Sequence, residues 1–318
     1  MSSPTHRAAP IARTLSRGEP SYPVELERLP DPPQCLRTRG AWPSWSRAVA
    51  IVGTRAPTER GLHVARALAR ELAQAGCVIV SGGAAGIDRA AHLGALDASA
   101  PTVVVHAAGL ACPFPAENVP LFARIVATGG LELSEQEDAV SPRSWLFLAR
   151  NRLVAALARV VVVVEAPARS GALSTAAHAR GLDVPVLAVP RVPEVGEALG
   201  SNALIRAGAG VCMSASDVLR VVEGTPPLPF ASGVTRARRE RRRQARPAVA
   251  APLRGALGGL EGSIVQAIED GATDLDVIVA RLSAEGGVEV ATVLAALASL
   301  ELAGIVAQGP AGRLEVIG

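Results

Sequence analysis

Five apolar runs, rich in valine, recur along the first two-thirds of the chain, and each gives way to a small or polar turn. The runs are Ala48–Val52, Cys77–Val80, Thr102–Val105, Leu131–Leu133 and Val160–Val164. Continuous apolar character over so few residues fits strands buried on both faces. Between the runs the period changes. Val64, Leu68 and Leu72 recur at four-residue steps and stop before Gly76, which predicts a helix with a glycine just past its end. Further helices are expected over Ile87–Ala98, Glu117–Ala127, Phe147–Ala158, Ala172–Arg180 and Ser216–Val221. Short buried strands alternating with helices over 47–223 predict an α/β domain: a Rossmann-like, doubly wound, mainly parallel sheet covered on both faces.

The flanking regions differ. Residues 1–46 are rich in proline and arginine, and read as an N-terminal tail followed by a strap, Tyr22 to Gly40, lying on the body. Residues 224–254 read as an Arg/Pro-rich linker. Residues 255–318 regain periodicity. Ile264, Ile268, Val277, Val279 and Leu282 suggest two short helices, Glu289–Ala303 a third, and 304–308 with 313–316 a hairpin. Three helices and a hairpin predict a small C-terminal winged-helix domain.

Charge sharpens this division. Residues 236–246 carry seven arginines and one glutamate, hence +6, and residues 255–318 carry nine acids and two arginines, hence −7. Of the net +3, the rest of the chain therefore holds +4. A DNA-reading winged helix is expected to be basic, and this one is not, so it reads as a protein-docking or self-association module. The arginine linker reads either as a nonspecific attractor of DNA or as a solvated tether. The chain has no lysine, so its side-chain cations at neutral pH come from arginine. No apolar run approaches the roughly 20 residues needed to span a bilayer. The N-terminus carries no acid before Glu19 and no secretory apolar segment, which predicts a cytoplasmic protein. Cys35, Cys77, Cys112 and Cys212 show no C-x-x-C pairing, and the five histidines no H-x-x-x-H, so neither a metal nor a disulfide framework is expected.

The chemistry sits in the turns. In an open parallel sheet they converge at the carboxyl ends of the strands, where glycines admit a ligand and helix N-termini offer N–H groups to anions. Gly53-Thr54-Arg55 offers a hydroxyl, backbone N–H groups and a guanidinium. It lacks the spacing of G-x-G-x-x-G, which counts against a dinucleotide cofactor. Ser81-Gly82-Gly83 through Gly86 forms a potential nest of donors, with Asp88 as a helix cap or a partner for a ligand hydroxyl. Arg150, Asn151 and Arg152 follow Phe147 closely. Buried, the arginines need partners, either phosphates or internal carboxylates such as Glu135 and Glu165. Ser170, Gly171 and Thr175 open another helix, without the lysine of a phosphate-hydrolysing loop.

The order of these motifs resembles the DNA-processing protein A family (DprA, or Smf). The resemblance rests on Gly53-Thr54-Arg55, Ser81-Gly82-Gly83-x-x-Gly86-Ile87-Asp88, Pro115-x-x-Asn118, Leu133-Ser134-Glu135, Phe147-x-x-Arg150-Asn151-Arg152, Val163-Val164-Glu165-Ala166, Ser170-Gly171-Ala172-x-x-Thr175-Ala176 and Gly200-x-Asn202-x-Leu204-Ile205. It covers about 22–218, and the acidic tail resembles that family's C-terminal module. It implies a nonenzymatic, single-stranded-DNA-binding recombination mediator without cofactor, which dimerises and loads the RecA recombinase during natural transformation. By the same resemblance Arg55, Arg150, Arg152 and the glycine turns hold successive phosphates, Phe147 stacks on a base, and Asn118 and Asn202 complete the set. The chain departs from the family at Gly83, where many members have leucine, and at Gly109 to Cys112, where the usual aspartate is missing. The competing reading is an enzyme acting on a nucleotide, with Asp88, Glu135 or Glu165 as acid or base. A third is a mononucleotide sensor whose winged helix relays the signal.

Overall fold

The structure, a computed structural model, describes residues 12–192, 199–226, 259–286, 290–302, 305–308 and 313–316. The arginine run at 236–246 lies outside them. The five expected strands are present as β3 (Ala48–Val52), β4 (Val78–Ser81), β5 (Thr102–Val105), β6 (Leu131–Ser134) and β7 (Val160–Val163). Four more complete the sheet: β1 (Arg13–Ser16), β2 (Cys35–Gly40), β8 (Val186–Ala188) and β9 (Gly210–Val211). The order is β1-β2-β6-β5-β4-β3-β7-β8-β9. From β6 to β9 all pairs are parallel, while β1 and β2 add antiparallel at one edge.

Alternation along the strands explains the two-sided cover. Ala48, Ala50 and Val52 face one apolar cluster, and Val49 and Ile51 the other. In β7 and just beyond it, Val161 and Val163 share the first face, Val160, Val162 and Val164 the second. Helices α1 (Glu59–Gln74), α2 (Ile87–Asp97) and α7 (Ala215–Val222) cover the second face. Helices α4 (Ser144–Leu157) and α5 (Gly171–Gly181) cover the first, α3 (Val119–Ala127) packs near β5 and β6, and α6 (Leu199–Arg206) lies against β8. At about 1.5–3 kcal/mol for each fully buried large aliphatic side chain, these two layers are the main source of the body's stability.

Residues 22–40 do more than strap the body. Val24–Arg28 form a 3-10 turn, and Cys35–Gly40 pair with β6. Only Leu36 and Thr38 of β2 are buried, which suits an outer strand with polar residues on its open face. The C-terminal module contains α8 (Leu260–Glu269), α9 (Leu275–Gly286), α10 (Val290–Leu302) and the hairpin β10 (Val306–Gln308) and β11 (Leu314–Val316). Its own apolar cluster includes Ile264, Ile278, Val293 and Leu297. Three helices and a hairpin confirm the winged-helix architecture expected there. Among the described residues no helix is long and apolar enough to cross a membrane.

Strand order decides where a site forms. The chain runs outward from β3 to β6, then returns to place β7 on the other side of β3. That reversal opens a crevice beyond the carboxyl ends of β3 and β7.

Candidate nucleic-acid interface

Three turns meet at this crevice and are fastened to one another. Thr54 N–H donates to the Glu165 carbonyl at 2.7 Å, and Ile87 N–H donates to the Thr54 carbonyl at 3.2 Å. Gly86, at φ 79°, begins α2, and a Cβ there would collide with the Thr54 carbonyl. Only glycine lets the two turns lie this close. Ser170 caps α5, accepting from Ala172 N–H at 3.3 Å, and Asn151 Nδ2 donates to the Gly171 carbonyl at 3.1 Å.

The cleft between them has a volume of about 300 Å³. It gathers Gly53, Thr54, Arg55, Gly82, Phe147, Arg150, Asn151, Ser170, Gly171 and Thr175, ten of the positions expected from sequence. Arg150 forms the floor. It is buried and donates from Nη1 to the Gly82 carbonyl at 2.6 Å and to the Val105 carbonyl, and from Nε to Asn151 Oδ1 at 3.3 Å. Burial draws its pKa down to about 10, partly offset by Asp88, so it stays protonated at neutral pH. A side chain on Gly82 would strike this guanidinium. Asp88 lines the same cleft and accepts from Ala84 N–H at 3.3 Å. Burial pushes its carboxyl above the usual range, against the pull of Arg150.

The lip is different. Arg55 is exposed, with its guanidinium carbon 4.9 Å from the centroid of the Phe147 ring. Phe147 in turn meets Phe114 edge-on at 5.5 Å. Arg169, which precedes the Ser170 cap, is also exposed and lines the cleft. Among the described residues neither Arg55 nor Arg169 forms an ion pair with a carboxylate. Two exposed guanidinium groups, an aromatic face and the N-terminus of α5 thus border one opening. That combination can grip a phosphate and stack a flat ring.

Several expected positions do other work. Arg152 lies outside the cleft and is held by Glu135 at 2.7 Å and Asp31 at 3.2 Å, so internal carboxylates, not phosphate, satisfy it. Asn118 is buried and donates to the Gly83 carbonyl at 2.9 Å, bracing the turn from behind. Ser81 donates to the Ile51 carbonyl at 2.6 Å, and Gly83 packs on Val104 and Phe122. Asn202 pairs with both backbone groups of Arg191, at 3.0 and 3.1 Å. Arg191 thereby reaches the fully buried Glu165, which also accepts from Thr58 N–H and Thr58 Oγ1, each at 2.8 Å. Of the three carboxylates weighed as acid or base, only Asp88 therefore borders the cleft. His92 is buried against Thr102 at 2.9 Å, and burial lowers its pKa to about 3. Sequence reasoning missed Arg169, Thr58 and Arg191. A basic residue directly before a helix start was the available signal for Arg169.

The family model for DNA recombination-mediator protein A matches residues 13–223, and the DprA winged helix domain matches residues 246–312. A protein of Mycobacterium tuberculosis named for DNA processing protein DprA is 48% identical over 176 residues, 55% of this chain and 45% of that protein. The chain thus spans about half the length of that relative. Protein Smf of Escherichia coli is 31% identical over 300 residues, covering 93% of this chain and 75% of its own length. Among solved structures, DNA processing protein A from Helicobacter pylori, described for its single-stranded DNA binding mode, is 34% identical. It aligns with a TM-score of 0.59 over 67% of this chain and 96% of that one.

Proposed function

The chain belongs to the DNA recombination-mediator protein A family, and from that premise we propose that it binds single-stranded DNA at the β3–β7 cleft, breaking no bond, as a recombination mediator. The observation that carries this reading is the Arg55–Phe147 pair at the mouth of the cleft. A guanidinium without a carboxylate partner beside an aromatic face suits a strand that offers a phosphate and an unstacked base. Gly53, Thr54, Gly82, Ser170 and Gly171 line the same opening, where the N-terminus of α5 favours an anion, and Arg169 adds a second charge. Duplex DNA hides its bases, so stacking on Phe147 favours single strands. The Helicobacter pylori relative, which binds single-stranded DNA, supports the same choice of ligand.

The finer role follows from family membership: delivery of the bound strand to a RecA-type recombinase during natural transformation, by a homodimer in the cytoplasm. Exposed Val192, Leu199 and Met213 flank the β8–β9 side of the sheet and suit self-association. An enzymatic reading has less support, since Glu135 and Glu165 are engaged away from the cleft.

A gel-shift series with single- and double-stranded oligonucleotides across salt concentrations tests the reading. Single strands bind more tightly, and Arg55→Gln lowers the slope of log affinity against log salt by about 0.7, the loss of one phosphate contact. Equal affinity for both forms, or an unchanged slope, overturns the assignment. RecA filament assembly on single strands, with and without the protein, tests the finer role.

A further inference from the structure

We propose that the acidic winged-helix module is a lid: it docks on α4 and α5 across the mouth of the cleft, and a DNA strand enters only when it swings away. The inference rests on the reading of the cleft as the DNA site. It begins from shared walls. Leu294 and Ala295 of α10 line the cleft together with Phe147 and Arg169 of the body. Trp145 and Leu148, in the same first turns of α4 that carry Phe147, pack on the apolar cluster of the module. The opening through which a base reaches Phe147 is therefore partly walled by the module.

Charge points the same way. The module's sequence sums to −7 over 255–318, so a lid of that charge closed over the cleft opposes the approach of a phosphate chain to Arg55 and Arg169. Packing indicates that the contact is releasable. A cavity of about 550 Å³ lies between body and module, bordered by Trp145, Arg152, His178, Leu297 and Glu301. A space of that size, open to solvent and lined by polar groups, admits water, so docking dries the two faces only in part. Trp145 Nε1 is buried without a hydrogen-bond partner where Trp145 packs on the module, and opening returns it to water. Burial also pushes the Glu301 carboxyl up to about 7, where it faces Asp31, Glu135, Arg152 and His178 of the body and Asp274 of its own module. Seating this carboxyl costs it hydration that opening restores. A contact so imperfectly satisfied is one that a competing ligand can displace.

Two full-length variants test the lid from its two sides. Leu294→Asp alters the module, and Ala177→Glu places a carboxylate on α5, outside the cleft and facing the module. Both add negative charge, which by itself weakens DNA binding, so tighter binding reports opening. Each variant is expected to bind single-stranded oligonucleotide about five- to tenfold more tightly than wild type, as follows if the open form is a minor population. Each is also expected to shift the emission of Trp145 to the red, a shift absent in a Trp145→Phe background. A red shift without tighter binding overturns the lid, because the module then leaves without uncovering the site. No shift in either variant overturns it too, because the module is then not docked. If wild type and variants alike ignore single strands at low salt, the DNA reading fails instead, while the emission shift still reports docking.

Discussion

Arg150 and Arg55 border one cleft, yet their circumstances are opposite. Arg150 lies in the floor, buried, with Nη1 given to the Gly82 and Val105 carbonyls and Nε to Asn151. Arg55 stands at the lip, exposed, over the Phe147 ring and without a carboxylate partner among the described residues. A buried guanidinium must find its partners within the protein, because water cannot supply them. An exposed one keeps its hydration until an anion displaces it. The floor thus shapes the turn that faces the ligand, and the lip meets the ligand itself. Substitutions in the two regions should separate stability from binding.

The largest effect is expected in the floor. Arg150→Met leaves the Gly82 and Val105 carbonyls short of donors and Asp88 without its neighbouring cation, and should cost about 2–4 kcal/mol in urea unfolding. A loss below about 1 kcal/mol would place Arg150 with the lip instead. Next comes Phe147→Ala, expected to weaken single-strand binding by about 1–3 kcal/mol, read by fluorescence anisotropy. Its stability should change far less than that of Arg150→Met, since Phe147 sits at the opening. Arg55→Gln should lower affinity by about tenfold, or about 1.4 kcal/mol, with unfolding within about 0.5 kcal/mol of wild type.

The smallest effect tests burial alone. His92 is held neutral by burial, with a pKa near 3 in the folded protein against 6.5 ordinarily. A depressed value means the unfolded chain takes up the proton first as pH falls. The stability associated with neutral His92 is therefore complete above 6.5 and is lost on acidification toward 3. Against a His92→Leu variant, wild type should lose about 1 kcal/mol between pH 6.5 and 5.5. Parallel curves would show that the imidazole is not shielded as the structure has it.

The parts of the fold that the sequence displayed are those where burial on both faces left a plain apolar run. The valines of β5 and β7 are the clearest case. β2 escaped notice because Leu36 and Thr38 alone carry its inner face, between arginines. β9 escaped because two residues hold too little pattern to read. In the site, the glycine turns and the Ser170 start were legible, since few other uses explain such residues after a strand. The division of labour among arginines was not. Arg150 and Arg152 are two positions apart on α4, one beneath the cleft and the other between Asp31 and Glu135. Helix phase separates them, and phase against the sheet is a tertiary fact. Asn118 and Asn202 were likewise invisible as braces, because the backbone groups they bind belong to distant turns.

The reversal of strand order has a consequence for the newly made chain. β3 pairs with β4 on one side and with β7 on the other, Val49 opposite Val160 and Val52 opposite Val163. One flank of the central strand therefore stands bare on the ribosome until the polypeptide has grown past Val163. Any product that stops short of that point, whether by premature termination or by cleavage in the turns before α4, offers a naked apolar ribbon to its neighbours and should precipitate rather than persist as a half-working fragment.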